Sequence, residues 1–153
     1  MILERNIRHA RTLQALYSSP ASKLTDFHMY SYHSIVTVRS APVLSGALRE
    51  IAVAEMRHMQ LLGECILALG LHPTLSYYQG TRKARWSSGF VEYAKHPRGM
   101  IELALRHERE SIARLQGAVS LIGPGEISAL LERLIADEEC HIKCLCELLD
   151  NLS

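Results

Sequence analysis

LSGALREIAVAEMRHMQLLGECILAL, residues 44–69, is the stretch that decides the fold. Apolar residues recur along it at alternating steps of three and four, which predicts a helix with one buried stripe. The stripe consists of Leu44, Leu48, Ile51, Leu62, Cys65 and Leu69. Glu55 and His58 occupy this stripe where two more apolar residues would be expected. Because residues at i and i+3 point the same way from adjacent turns, both side chains are predicted to face the core. A buried carboxylate is costly unless it is paired or bound to a metal.

Length and composition indicate one globular domain covering residues 1–153. The chain is long enough to bury a sizeable core, 48% of its residues are hydrophobic and 22% are charged. This balance excludes a disordered chain. The formal net charge is only +1, and no aligned Lys/Arg face is visible along the sequence. The sequence therefore predicts no nucleic-acid partner.

The sequence contains neither a run typical of a membrane span nor a CxxC pair. No run approaches the roughly 18 consecutive apolar residues of a membrane span, so no membrane partner is expected. The N-terminal MILERNIRHARTL is charged throughout and lacks the apolar segment of a secretory signal, which predicts a cytoplasmic protein. Cysteines stand at 65, 140, 144 and 146 without a CxxC pair, so reduced thiols are expected.

Start and stop residues predict four helices, at about 20–38, 42–69, 97–121 and 125–149. Ser-Pro at 19–20 and prolines at 42 and 97 suit first turns, and glycines at 70 and 123 suit helix ends. Residues 2–17 carry a weak helical pattern whose continuity with the first helix stays open. The connection over 71–95 is unusually long, and no strand pattern competes with the four helices. The predicted fold is all-α, an antiparallel four-helix bundle with one long crossover between helices 2 and 3.

Glu-x-x-His occurs twice on core stripes, at Glu55/His58 and Glu138/His141, and Glu108 interrupts the stripe of the third helix. One such pair is typical of a solvated pair or a satisfied core histidine. Two such pairs and a glutamate, all in register, are not explained in that way, because three buried carboxylates would repel one another without a cation. Carboxylates and imidazoles without a thiolate in register favour iron or manganese over structural zinc. Bundles that present two ExxH helices and two single-Glu helices are dinuclear iron or manganese carboxylate proteins.

Four segments resemble the rubrerythrin-like branch of the ferritin-like superfamily: AVAEMRHMQLLGECILALG, WSSGFVEYA, ALRHERESIA and IADEECHIK. The resemblance extends over about residues 13–149. It implies a non-haem di-iron bundle, often a homodimer, that reduces peroxide or oxidises ferrous iron. With no rubredoxin module, electrons would come from an external donor protein. By position, Glu55 and Glu138 would be bridging or terminal carboxylates, His58 and His141 terminal ligands, and Glu108 the carboxylate of the third helix.

The first helix departs from this family pattern. Relatives carry a glutamate seven residues before an aromatic that matches Tyr30, within Ser-Glu-Leu-Thr, whereas this chain reads Ser-Lys-Leu-Thr with Lys23 at that position. Three carboxylates and one ammonium have a net charge of −2, which suits one divalent ion. The hypothesis is that Lys23 occupies or blocks one metal position and leaves a mononuclear or metal-free site. Asp26, one turn further on, is the alternative fourth ligand.

Two other functions remain open from the sequence. The first is a non-catalytic ferritin-like scaffold or interaction protein with a mononuclear or empty site, and the second is an iron-storage shell. Among weaker signals, Tyr30 is expected to pack in the core or neighbour the site. His33 is expected to be exposed or partly buried, and Trp86 to pin the crossover to the bundle or to form a dimer contact.

Overall fold

A computed structural model describes residues 2–152, so the predicted domain ends, 1 and 153, lie outside the described residues. It contains the helices α1 (Ile7–Ser18), α2 (Lys23–Thr37), α3 (Pro42–Leu69), α4 (Pro97–Ile122) and α5 (Glu126–Asp150). The predicted four-helix bundle with a long crossover is confirmed. Its first helix is divided, because α1 and α2 share that position. Within residues 2–152, no helix is both long and apolar enough to cross a membrane.

The division of the first helix corrects the predicted start at Ser19 and Pro20. Ser19 instead follows the end of α1, and its backbone N–H donates to Ala15 O. Ser22 is the N-cap of α2, because its extended backbone lets its hydroxyl accept a hydrogen bond from Thr25 N. The helix that carries Lys23 therefore begins three residues later than predicted.

Helix α3 has the predicted bounds. Pro42 lies in its first turn, where a missing backbone N–H costs nothing. At its end Gly70 adopts a φ of +110°, a left-handed conformation that glycine accepts without strain. A side chain at position 70 would also meet Arg5 Cγ at 2.9 Å from its Cβ. Pro42 and Gly70 therefore determine the two ends of the helix that carries Glu55 and His58.

The crossover contains a β-hairpin, which no strand pattern in the sequence had indicated. Strands β1 (Ser76–Gln79) and β2 (Arg82–Arg85) pair antiparallel, with Tyr78 opposite Lys83. Gly80 supplies a positive φ of +62° in the turn between them. Strands of only four residues, one of them dominated by basic side chains, give too little alternation to be recognised in sequence.

Hydrogen bonds fasten this hairpin to the first-helix position. Gln14 Nε2 and Ser18 Oγ of α1 donate to Ser76 O, at 2.8 Å and 2.6 Å. Just beyond β2, Trp86 Nε1 donates to Thr25 Oγ1 of α2 at 2.9 Å. Trp86 therefore ties the crossover to the bundle, as the first of its two predicted roles requires.

Buried apolar side chains form two clusters, one toward each end of the bundle. Helix α1 contributes to the first cluster and α2 to the second, together with opposite halves of α3, α4 and α5. The first includes Leu13, Leu62, Ile66, Leu115, Leu131 and Leu134. The second includes Met29, Leu48, Ile51, Ile101, Leu105 and Leu145. The polar residues of the three long stripes lie along their helices between these clusters.

Candidate metal centre

Five predicted ligands meet in the middle of the bundle. They form two groups in which the potential ligand atoms lie within 4.8 Å of one another. The groups are Glu55, Glu108 and His141, and Glu55, His58 and Glu138. Four of these side chains are buried and His141 is partly buried. Glu55, at 0% exposure, belongs to both groups and is the centre of the arrangement.

Lys23 enters the second group. Its side chain is 2% exposed, and its Nζ lies 2.9 Å from Glu55 Oε2 and contacts Glu138 Oε1. Ser111 Oγ accepts a hydrogen bond from Lys23 Nζ at 3.2 Å and donates to Glu138 Oε1 at 3.0 Å. The ammonium therefore contacts Glu55, Glu138 and Ser111. It lies beside the two carboxylates that a second metal ion would need as ligands.

Several ligand atoms of the cluster are buried without a hydrogen bond to any described residue. Leaving such a group unsatisfied costs about 1–3 kcal/mol, and more when the group is charged. The atoms include Glu55 Oε1, Glu108 Oε2, Glu138 Oε2, His58 Nδ1 and His141 Nδ1. All of them can donate an electron pair to a cation. This set of carboxylate oxygens and imidazole nitrogens fits iron or manganese.

Burial shapes the electrostatics of the cluster. It raises the pKa of Glu55 to about 7, an effect that Lys23 opposes and that Glu108 and Asp26 reinforce. Burial also disfavours the charged form of His141, but the carboxylates of Glu108 and Glu55 outweigh it and raise the His141 pKa. The pocket consequently favours added positive charge near Glu55 and Glu108.

His58 is oriented by a residue that the sequence patterns did not single out. Its Nε2 lies 2.9 Å from Oδ2 of Asp137, whose side chain is 58% exposed. Burial, together with Lys23, lowers the pKa of His58 to about 4, so the imidazole is neutral at pH 7. With Nε2 donating to Asp137, Nδ1 keeps its lone pair for the interior. The position of Asp137 directly before Glu138 was the available sequence signal; Ser111 had none.

Tyr30 and Asp26 take different roles. Tyr30 OH donates to Glu108 Oε1 at 2.7 Å, and burial and the Glu108 charge raise the pKa of Tyr30 well above its usual value. Asp26 Oδ1 instead lies 2.7 Å from His107 Nδ1, and His107 Nε2 faces Glu92 at 3.0 Å. The structure thus places Tyr30 beside the cluster and engages Asp26 outside both candidate groups.

His33 and the cysteines of α5 belong to neither candidate ligand group. His33 is completely buried, so the expectation of an exposed or partly buried ring is wrong. The ring is held in the interior because its Nε2 accepts a hydrogen bond from Ala94 N at 3.0 Å. Cys140, Cys144 and Cys146 are free thiols, as expected.

Comparisons with family models and with solved structures found proteins that are similar to this chain. A family model of the ferritin-like domain matches residues 23–153. The manganese catalase KatB from Anabaena superimposes with a TM-score of 0.88 over 99% of this chain and 75% of that one, at 20% identity. The bacterioferritin of Rhodobacter capsulatus, solved with a metal-free dinuclear site, gives a TM-score of 0.78 over 97% and 87% of the chains, at 22% identity. Among curated protein sequences, none matches this chain significantly.

Proposed function

Because the chain belongs to the ferritin-like domain family, we propose that its central cluster binds one divalent iron or manganese ion. The ion would be held by Glu55, Glu108 and His141, while the Lys23 ammonium takes the place of a second ion. The observation that carries this proposal is the contact of Lys23 with both Glu55 and Glu138. In the other group, Lys23 contacts only Glu55, through Oε2, while Glu55 Oε1 and Glu108 Oε1 face His141 and form no described ion pair with a Lys or Arg side chain.

The proposed activity is peroxide reduction or ferrous-iron oxidation. A bound iron or manganese ion would supply the redox chemistry. The chain's own residues prepare the pocket, because Tyr30 OH holds Glu108 in place and the surrounding packing leaves the carboxylates of Glu55 and Glu138 without exposed surface. Peroxide reduction consumes electrons, so an external donor protein is part of the proposal.

Metal stoichiometry tests the proposal. We expect elemental analysis of metal-loaded protein to give one tightly bound ion per chain. Lys23→Glu should bind two, because it removes the ammonium and adds the missing carboxylate between Glu55 and Glu138. Lys143→Glu, the same charge change on an exposed part of α5, should still bind one. Two tightly bound ions per chain in the natural protein would contradict the proposed role of Lys23.

A non-catalytic scaffold is the second candidate function. The ion pairs of Lys23 favour it, because they give two buried carboxylates a shared cationic partner without any metal. Titrating metal-free protein with ferrous iron, while peroxide consumption is followed, separates the two functions. Saturable binding with peroxide consumption supports the enzyme. Absence of peroxide consumption, with or without bound iron, supports the scaffold.

We also propose a homodimer that pairs through α2 and α3. Both helices expose large apolar side chains beside each other, among them Ile35 at 67% and Val53 at 39% exposure. Light scattering should give twice the chain mass of 17.2 kDa. Ile35→Glu with Val53→Glu should give monomers, because each charge would be desolvated in the interface. Leu121→Glu, on an exposed part of α4, is the matched control. A monomeric natural protein, or a particle of many subunits, would contradict this prediction.

A further inference from the structure

Positive charge is segregated in this chain. Residues 5–22 and 65–91 contain six of the 17 Lys and Arg residues and none of the 16 Asp and Glu residues. The small overall net charge therefore hides a strongly basic region and an acidic remainder. The two segments are far apart in sequence, but they include α1 and the hairpin, which pack together. The basic residues are Arg5, Arg8, Arg11, Arg82, Lys83 and Arg85.

A groove runs between α1 and the turn of the hairpin. Arg8, Arg11, Thr12, Tyr78 and Gly80 line it together with Ile7. Arg8 and Arg11 are exposed and lie three residues apart, so they share one face of α1. The guanidinium carbon of Arg11 lies 4.3 Å from the centre of the Tyr78 ring. This stacking fixes the direction of the Arg11 guanidinium before any ligand arrives.

The hairpin adds further exposed basic side chains beside this groove. Lys83 lies opposite Tyr78 in the antiparallel pair, and Arg82 opposite Gln79. Both basic side chains are exposed, as is Arg85 at the far end of β2. None of these cations, nor Arg8 or Arg11, forms a salt bridge with another described residue. Their charge is therefore available to a ligand.

The lining favours a polyanion over a protein partner. Protein interfaces are apolar at their centre and depleted of charge there. This groove has the opposite character, since Ile7 is its one aliphatic member and arginines form its wall. Arginine forks match phosphate oxygens, and nucleic-acid interfaces are more polar and more positively charged than interfaces between proteins.

We propose that the groove between α1 and the β-hairpin binds the phosphate backbone of nucleic acid without sequence selectivity. The linear sequence predicted no such partner, because its basic residues are separated by about 70 positions and meet only through the packing of the hairpin on α1. This site is independent of the metal proposal, because it shares no residue with the central cluster.

Fluorescence anisotropy tests the proposal with the full chain and a labelled oligothymidylate of about 20 nucleotides. We expect binding that weakens steeply between about 50 and about 200 mM salt, because bound phosphates release counterions. Arg8→Ala with Arg11→Ala should weaken binding about tenfold and lower the salt slope by about 0.7 for each phosphate that the variant no longer binds. Arg82→Ala with Lys83→Ala should have a similar effect without touching the packing of α1.

Arg133→Ala with Lys143→Ala is the matched control, because it removes two exposed cations from α5 and should leave binding unchanged. Circular dichroism confirms that each variant is folded. Absence of binding at the lower salt concentration overturns the proposal, as does equal weakening by the α5 control. Binding to anionic lipid vesicles without binding to the oligonucleotide also overturns it, since the basic groove would then serve a membrane surface.

Discussion

Lys23→Met should lower the free energy of unfolding of the metal-free protein by about 3–5 kcal/mol, the usual cost of removing one partner from a buried ion pair. Methionine keeps much of the length of the lysine side chain but removes the ammonium that contacts Glu55 and Glu138. Two adjacent buried carboxylates then lose their cation. Urea denaturation in the presence of a chelator, followed by circular dichroism, measures the change.

Two further measurements separate this electrostatic effect from a packing defect. Lys143→Met, on an exposed part of α5, should change stability by less than about 0.5 kcal/mol. Saturating manganese should stabilise Lys23→Met more than it stabilises the natural protein, because the ion replaces the missing ammonium. If Lys23→Met cost less than about 1 kcal/mol, the value typical of exposed pairs, the buried cation would not have the role assigned to it.

Glu55→Ala should weaken metal binding by more than about 100-fold, because loss of an outer-shell partner alone typically costs about 10–100-fold. The effect is expected to be large because Glu55 belongs to both candidate ligand groups. No other described acidic side chain forms part of both. Competition with a chromophoric chelator measures the affinity for manganese or ferrous iron.

The matched control is Glu139→Ala, which removes an exposed carboxylate one residue from Glu138. It should leave the affinity unchanged, because its side chain lies outside both candidate groups. Equal affinities for Glu55→Ala and the natural protein would show that the ion binds elsewhere. Loss of affinity in the Glu139 variant would indicate binding by surface charge.

Local signals explain what the sequence predicted of the fold. Pro42 and Gly70 determine the ends of α3 by backbone chemistry alone, so these bounds were predictable. Near α2, Ser19 and Ser22 are both extended and compete as caps, but only the Ser22 hydroxyl accepts a hydrogen bond from a backbone N–H of α2, whereas the Ser19 hydroxyl donates to Ala21 O. The hairpin depends on α1, because Gln14 and Ser18 bind its backbone, and no local pattern contains that interaction.

Some residues of the candidate site could also be predicted from local patterns, and others could not. Helical periodicity was enough to predict that Glu55 and Glu138 face the interior, and both are fully buried. The partners of Lys23 lie 32 and 115 positions away and could not be chosen from one sequence without the resemblance. Asp137 and Ser111 were missed because their roles depend on side chains of other helices. That an ion binds among these residues remains a prediction.

The division between α1 and α2 has a consequence for the rate at which an ion can reach the interior. Glu55 and Glu138 have no exposed surface, and the most exposed ligand of the proposed ion is His141, whose side chain is only 14% exposed. Residues 19–22 interrupt the helix beside Lys23, and a break in a helix allows its two parts to open separately. Opening of this segment should therefore add a second route beside the narrow exposure at His141, and conditions that favour the opening should speed ion uptake and release.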